Sequence, residues 1–247
     1  MPRFRENPDF PGTRAEVRAD WERMRADPRP LERPVIVLAG WRAPGSARGV
    51  GWRLRSVTSR RENDFLSIAY PHAGCILDAA RFAAAKVRAR FGEGGARPFD
   101  VVGISMGGLV ARVLAEPRRH GLDLPPLPIH RLFTLATPHA GAKLARLVAP
   151  DRAARDMRPG SGFLAGLDGG RVAGEVHCYA QLRDWWVGAS RCAPPGTLPY
   201  WVDTETFFQH ILSHFVINYN RRVLRDIARR LRAESPAARR ASAPPCD

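Results

Sequence analysis

The stretch Phe99-Asp-Val-Val-Gly-Ile-Ser-Met-Gly-Gly-Leu-Val-Ala-Arg112 joins two apolar runs through a serine set among glycines. Its first part, Phe99 to Ile104, is short and mostly apolar, which is typical of a buried strand. Its second part predicts a helix from Gly107 to Ala115, which ends before Pro117. The stretch therefore predicts a sharp strand-to-helix turn with Ser105 at its tip.

Ser105 is the candidate nucleophile of this turn. The sequence Gly103-Ile-Ser-Met-Gly107 is a G-x-S-x-G motif in the strand-turn-helix setting that the motif requires. Such a turn lifts the serine hydroxyl clear of the backbone, and glycines leave the room that it needs. The following helix points its N-terminus at the site, where backbone N–H groups favour negative charge. The N–H of Met106 is therefore predicted to be one oxyanion donor.

The rest of the chain continues the alternation of strands and helices. Apolar runs predict strands over 34–40, 65–70, 129–136 and 175–182, and helical spacing predicts helices over 76–91 and 221–231. Residues 41–64 are rich in Gly, Arg and Ser and predict an extended loop. The alternation predicts an α/β fold with a mostly parallel central sheet and helices on both faces. Since only 138–173 separates the fourth and fifth strands, we expect a minimal cap domain or none.

The sequence divides into three parts. Residues 1–33 form a polar leader, with a short helix predicted around 16–25. Residues 34–232 form the α/β domain, and residues 233–247 form an Arg-, Pro- and Ala-rich tail that is predicted to be disordered. The leader lacks the apolar centre of a secretory signal, and no apolar run is long enough to span a bilayer. A cytoplasmic location is therefore expected.

Asp184 is the preferred acid partner for the serine. A serine hydroxyl becomes a good nucleophile when a histidine, oriented by a carboxylate, takes its proton. In enzymes built on this turn the chain order is serine, acid, histidine. Asp184 follows the fifth predicted strand and precedes two tryptophans that can exclude water. Asp203, in a loop, and Asp168, in a glycine-rich turn, are the alternatives.

Two histidines follow the preferred acid, and one of them is expected to be the general base. His214 lies a short loop before the C-terminal helix, so its side chain can reach over the edge of the sheet, and it is the preferred base. His210 lies in an apolar stretch and is the second choice. The remaining histidines precede Asp184 and break the expected order; they are His72, His120, His130, His139 and His177.

Several segments resemble the bacterial triacylglycerol lipases and GPI-inositol-deacylase-like hydrolases of the α/β-hydrolase superfamily. They are Asp100–Arg112, the Thr-Pro-His segment Leu132–Gly141, Met157–Leu164, Tyr179–Gly188 and His214–Val223. The resemblance covers residues 34–232. It implies an α/β-hydrolase fold, a triad of Ser105, Asp184 and His214, and ester hydrolysis without a metal or cofactor.

One segment departs from this pattern. The similar lipases carry His-Gly after the first core strand, whereas this chain has Ala39-Gly40-Trp41. By position, the backbone N–H of Trp41 is the expected second oxyanion donor, and a backbone donor survives a change of side chain. Five tryptophans near the expected site fit either an apolar acyl pocket or packing under long loops. They are Trp41, Trp52, Trp185, Trp186 and Trp201.

The composition is strongly basic. The chain has 39 Lys and Arg residues against 24 Asp and Glu, a formal net charge of +15. The cations are scattered, without a zinc-ligand set or basic arm, so an arginine-biased composition is preferred and no specific nucleic-acid partner is expected. Contact with an anionic membrane surface is a hypothesis. The expected partner is a small ester or lipid, and the oligomeric state is left open.

Two other classes of function remain open from the sequence. Thioesterases, amidases and acyltransferases use the same triad and differ in the pocket and in water exclusion. A hydrolase-fold binding protein without activity would use its basic surface to contact lipid or nucleic acid. The departure at Ala39 and the net charge motivate this second class, whereas the intact Ser105, Asp184 and His214 favour an enzyme.

Overall fold

The computed structural model describes residues 9–92, 97–170, 174–203 and 212–245. The strands are β1 Val35–Leu38, β2 Phe65–Ile68, β3 Phe99–Ile104, β4 Ile129–Leu135, β5 Glu175–Gln181 and β6 Tyr200–Val202. The helices are α1 Arg14–Ala26, α2 Pro44–Ser56, α3 Ile76–Phe91, α4 Met106–Ala115, α5 Arg152–Asp156, α6 Gly162–Asp168, α7 Ser213–Val216 and α8 Arg221–Leu231. Among the helices of these residues, none has the length and apolar character needed to cross a membrane.

The strands form one sheet in the order β2-β1-β3-β4-β5-β6, and every neighbouring pair is parallel. The predicted α/β class is confirmed, with a sheet that is wholly parallel in the described residues. The short edge strand β6 was not predicted, because three residues carry too little periodicity to be recognised.

Helices cover both faces of the sheet. The chain moves from β1 to β2 in one direction, and from β2 past β1 to β3 and β4 in the other. Because parallel crossovers are right-handed, α2 lies on the opposite face from α3 and α4. The contacts agree, since α3 packs on α4 whereas α2 packs on α8. The central strands β1 and β3 are buried along their whole length as a result.

Helix α2 lies in a stretch that was predicted to be an extended loop, and that prediction is wrong. Pro44 stands in its first turn, where the missing N–H leaves no helical bond unmade. Val50 and Leu54 are fully buried beneath the helix. Gly51 permits the close packing, since an added Cβ would lie 2.5 Å from the hydroxyl oxygen of Ser67. Burial of one face outweighs the low helix propensity of the glycines.

The predicted leader packs on the domain through α1. A capping box between Thr13 and Glu16 starts the helix. Its apolar face buries Val17, Trp21 and Met24, and the helix contacts α8. The helix is longer than the short one predicted, because the capping box starts it at Arg14 and burial of its apolar face stabilises it.

Residues 233–245 follow a defined path, in contrast to the disorder expected of the tail. Asp226 on α8 is completely buried. Its Oδ1 accepts hydrogen bonds from the N–H groups of Ala237 at 2.7 Å and Ala238 at 2.8 Å, and its Oδ2 accepts one from the Tyr179 hydroxyl at 2.7 Å. A buried carboxylate needs such partners, and two of them come from the tail. The tail is therefore held by an acid of the core, which composition does not reveal.

Candidate active site

Ser105 lies at the tip of the turn between β3 and α4. Its φ of 49° and ψ of −120° fall in a region that residues other than glycine rarely adopt. Neighbouring backbone packs too closely for side chains: a Cβ on Gly103 would lie 2.5 Å from Gly108 Cα, and one on Gly107 would lie 2.4 Å from the Leu38 carbonyl oxygen. The motif's glycines thus permit the close packing that holds Ser105 in a strained conformation.

His214, on α7, lies within hydrogen-bond distance of Ser105. Its Nε2 is 3.0 Å from Ser105 Oγ, although 109 residues separate the two in the sequence. The indole of Trp186 stacks on the imidazole, with ring centroids 5.5 Å apart and an interplanar angle of 2°. The side chain of His214 is only 8% exposed. Stacking and burial fix the orientation of the imidazole and limit its contact with water.

Asp184 lies on the other side of the imidazole. Its Oδ2 is 2.8 Å from His214 Nδ1. Its Oδ1 accepts hydrogen bonds from the backbone N–H groups of Trp186 at 3.0 Å and Val187 at 3.1 Å. The carboxylate is completely buried. This arrangement favours the tautomer with a proton on Nδ1, which leaves Nε2 able to accept the proton of Ser105.

The alternative acids and the alternative base lie elsewhere or outside the described residues. The Asp203 carboxylate is 3.6 Å from the guanidinium of Arg183. The Asp168 carboxylate is 40% exposed and lies 4.0 Å from the guanidinium of Arg112. His210 falls outside the described residues. The geometry thus brings together the preferred nucleophile, base and acid.

Two backbone segments border Ser105 where an oxyanion would be held. Met106 begins α4, and N–H groups in the first turn of a helix have no carbonyl partner within the helix. The Gly40-Trp41 loop lies against the serine, because a Cβ on Gly40 would be 3.4 Å from Ser105 Cβ. The indole Nε1 of Trp41 donates to Asp151 Oδ2 at 3.0 Å. Both segments are the ones from which oxyanion donors were predicted.

Asp151 is a residue of this site that sequence reasoning missed. Besides the Trp41 indole, its Oδ2 accepts a hydrogen bond from the Arg42 guanidinium at 3.1 Å. Its Oδ1 accepts one from the N–H of Ala154 and so caps α5. The cap is readable from the sequence as an aspartate before a short helical run. The contact with Trp41 is not, since 110 residues separate the two.

A narrow apolar pocket adjoins Ser105. Its walls are formed by small or apolar side chains, among them Trp41, Ala142, Leu144, Ala145, Met157 and Trp186. The cavity volume is about 50 Å³, which holds a small group and not a long chain. The tryptophans that were expected near the site therefore have different locations. Trp41 and Trp186 line this pocket, whereas Trp52 lines a separate groove.

His139, in the Thr-Pro-His segment, is completely buried. Its Nδ1 lies 3.4 Å from Arg112 Nη1 and its Nε2 lies 3.3 Å from Thr134 Oγ1. Burial, and then the positive charge of Arg112, hold the pKa of His139 well below its usual value. Because a guanidinium can only donate, Nδ1 accepts and Nε2 carries the hydrogen. His139 is thus a neutral histidine of the core.

The burial of His139 predicts how stability depends on pH. Its depressed pKa means that the folded protein binds fewer protons than the unfolded chain, so the free energy of unfolding should fall as the pH drops below about 6.5. The slope from one proton is at most about 1.4 kcal/mol per pH unit. The free energy of unfolding can be measured with urea at several pH values. It should change less with pH in His139→Gln than in the wild type. The exposed His72→Gln is the control, and equal slopes in the two variants would contradict the prediction.

Comparison with known proteins gives matches in structure but not in sequence. No protein-family profile matches the chain, and no curated protein is similar to it in sequence. The product of the gene lin2722 from Listeria innocua matches with a TM-score of 0.52 and 11% identity, over 80% of this chain and 92% of that protein.

Two further solved structures match more weakly. Phospholipase PlaB from Legionella pneumophila matches with a TM-score of 0.49 and 15% identity over 61% of this chain, and the match spans only 39% of the phospholipase. The mature lipase BlEst2 from Bacillus licheniformis matches with a TM-score of 0.44 and 19% identity, over 62% of this chain and 67% of the lipase. The wholly parallel sheet and the Listeria structure, whose match is the most extensive of the three, lead to one conclusion: the chain has an α/β-hydrolase-like fold.

Proposed function

We propose that this chain is a serine hydrolase that cleaves carboxylic esters, with Ser105, His214 and Asp184 as its catalytic triad. The observation that carries the proposal is the continuous polar chain from Asp184 Oδ2 through the imidazole to Ser105 Oγ, with steps of 2.8 and 3.0 Å. Serine at a strained strand-to-helix turn, with a base and a buried acid in line, is the arrangement that activates a hydroxyl. Kinship with the triacylglycerol lipase group is part of the proposal.

The reaction proceeds in two halves. Ser105 Oγ attacks the ester carbonyl carbon while His214 Nε2 takes its proton, and Asp184 stabilises the imidazolium that forms. The N–H groups of Met106 and Trp41 hold the oxyanion, each contributing roughly 3 kcal/mol. His214 then protonates the leaving alcohol as its C–O bond breaks, which leaves an acyl group on Ser105. Water repeats the sequence, releases the acid and restores the serine.

Labelling with a fluorophosphonate tests the proposal directly. This reagent reacts with serines that an adjacent base has activated. Mass spectrometry of the intact protein should show one adduct, and peptide mapping should locate it on Ser105. The Ser105→Ala variant should remain unlabelled. An unlabelled wild-type protein would contradict the proposal and favour a binding protein without activity.

The narrow pocket predicts a preference for short acyl groups. The cavity of about 50 Å³ that the described residues form beside Ser105 encloses only a small group. A chain that extends from it into water forfeits roughly 0.8 kcal/mol for each CH₂ that would otherwise be buried. In a series of p-nitrophenyl esters, kcat/KM should be highest for acetate to butyrate and should fall for longer acyl groups. A kcat/KM that rises steadily to palmitate would contradict this prediction.

Asp151 is expected to position the Trp41 loop for the reaction. Replacing it with alanine removes the acceptor of the Trp41 indole and of Arg42. A displaced backbone donor should lower kcat by roughly tenfold to hundredfold and change KM little, because the oxyanion forms only in the transition state. Asp151→Asn keeps one acceptor oxygen and should restore part of kcat.

Ser161→Ala is the matched control for this variant. Ser161 caps α6, as its side chain accepts a hydrogen bond from the N–H of Leu164 at 3.2 Å. Its loss removes a helix cap of similar value, roughly 1 kcal/mol, without touching the Trp41 loop. Equal losses of kcat in Ser161→Ala and Asp151→Ala would show a general effect of stability and would contradict the positioning role.

A further inference from the structure

A groove outside the catalytic pocket joins three segments that are far apart in the sequence. Helix α1, the C-terminal half of α2 and the residues around the start of α8 border a hollow of about 570 Å³. An adjoining hollow of about 420 Å³ is bordered by α1, α2 and the residues that follow α2. The two hollows share Arg25, Trp52 and Ser56 on their walls. Of the described residues, none that lines either hollow also lines the pocket beside Ser105.

The groove carries an excess of positive charge. Its described lining holds six arginines and two glutamates. The two glutamates pair with Arg18 at 3.0 Å and with Arg55 at 3.6 Å. Within the described residues, no carboxylate lies in ion-pair distance of Arg25, Arg53 or Arg221. Three guanidinium groups that line one groove without an ion-pair partner favour an anionic ligand, and guanidinium is well suited to phosphate.

Two aromatic rings are exposed in the same groove. Trp52 is 57% exposed and Tyr219 is 53% exposed. The guanidinium of Arg53 lies 4.5 Å from the ring centroid of Tyr219 and 5.9 Å from that of Trp52. Beneath them, the buried Trp21 donates from Nε1 to the carbonyl of Arg221 at 3.2 Å and ties α1 to α8. The buried Trp21 thus fixes the two helices that border the groove, and the exposed rings offer a surface on which a planar group can stack.

We propose that this groove binds a nucleotide, with its phosphates on the guanidinium groups of Arg25 and Arg221 and its base on the ring of Trp52. Arginine for phosphate and an aromatic ring for a base are the two contacts by which proteins hold nucleotides without reading their sequence. The volume of the two hollows is that of a small-ligand site.

Isothermal titration calorimetry with the full chain tests the proposal. ATP and AMP should bind, and ATP should bind more tightly than inorganic pyrophosphate, because only the nucleotide offers a ring. Trp52→Ala should weaken ATP binding about fivefold or more and leave pyrophosphate binding unchanged. Phe82→Ala removes an exposed ring on α3 and should have no effect. Equal affinity for ATP and pyrophosphate, together with unchanged ATP binding in Trp52→Ala, would overturn the proposal.

The charge contacts are tested by a pair of double variants with the same net charge. Arg25→Glu with Arg221→Glu should weaken ATP binding about tenfold or more. Arg81→Glu with Arg118→Glu alters exposed arginines outside the groove and should weaken it much less. Thermal unfolding checks that all variants fold. Equal losses in the two double variants would show attraction to the overall charge and would overturn the proposal.

Two further ligands test whether the groove binds a free nucleotide, single-stranded nucleic acid or an anionic membrane. A short oligothymidylate that binds far more tightly than AMP, and loses affinity in Trp52→Ala, would assign the same contacts to single-stranded nucleic acid. Comparable affinities would assign them to the free nucleotide. Capture by phosphatidylglycerol vesicles, without any binding of ATP, would overturn the proposal. These measurements require no ester hydrolysis, so their outcome is independent of the proposed function.

Discussion

Replacing Ser105 with alanine should lower kcat for ester hydrolysis by roughly 10⁴- to 10⁶-fold. In the proposed mechanism, Ser105 Oγ forms the acyl-enzyme, and the variant lacks this atom. His214 and Asp184 would keep their hydrogen bond but would have no hydroxyl to activate. Its folding should change little, because alanine keeps the backbone of the turn and the glycines still hold the positive φ of residue 105. Steady-state kinetics on a short-chain ester, with active-site titration, measure the loss.

Ser161→Ala again provides the control for Ser105→Ala. It removes a serine hydroxyl that caps α6 and that lies outside the lining of the catalytic pocket. It should retain kcat within about twofold, since the loss of a cap changes stability and not the chemistry. A loss below tenfold in Ser105→Ala would exclude Ser105 as nucleophile, whatever the behaviour of the control.

Replacing Asp184 with asparagine should lower kcat by roughly 10⁴-fold. The N–H groups of Trp186 and Val187 point at Oδ1 and would hold the amide oxygen there. The NH₂ group would then face His214 Nδ1 and donate to it. This forces the imidazole hydrogen onto Nε2, so that Nε2 points a donor at Ser105 and can no longer take its proton.

Asp203→Asn tests whether Asp203, the alternative acid, has the role proposed for Asp184. Asp203 is also a buried aspartate, 5% exposed, but its carboxylate lies beside Arg183. Its replacement should reduce stability and leave kcat within about tenfold of the wild type. A loss of 10⁴-fold in Asp203→Asn with little loss in Asp184→Asn would reverse the assignment of the acid. The same kinetic assay serves both variants, with thermal unfolding to separate stability from activity.

The sequence predicted most of the sheet and the preferred residues of the site. Sequence patterns located β3 and α3 to the residue, because a short, mostly apolar run and an apolar helical stripe are local patterns. The G-x-S-x-G motif located the turn, since its glycines are required by backbone packing within a few residues of Ser105. The choice of Asp184 and His214 used chain order, which follows from the fold, and the structure places His214 beside Ser105 and Asp184 beside His214.

Other features were missed because they arise from contacts between distant segments. The glycines of α2 predict a loop, and the helix forms because the sheet buries Val50 and Leu54. The composition of the tail predicts disorder. The N–H groups of Ala237 and Ala238 in the tail nevertheless bind the buried carboxylate of Asp226, which requires donors. The hydrogen bond between Trp41 and Asp151 joins two loops that no local pattern connects.

Patterns within the sequence were enough to predict the class of fold, the turn that carries Ser105 and a short set of candidate acids and bases. Each of these depends on residues close together in the chain, where steric fit and periodicity act directly. Folding places Ser105, His214 and Asp184 in one hydrogen-bonded line, joins the Trp41 loop to Asp151, and brings Arg25, Trp52 and Arg221 into one groove. Hydrogen bonds and charge interactions act over a few ångströms, and only folding brings residues separated by a hundred positions within that range.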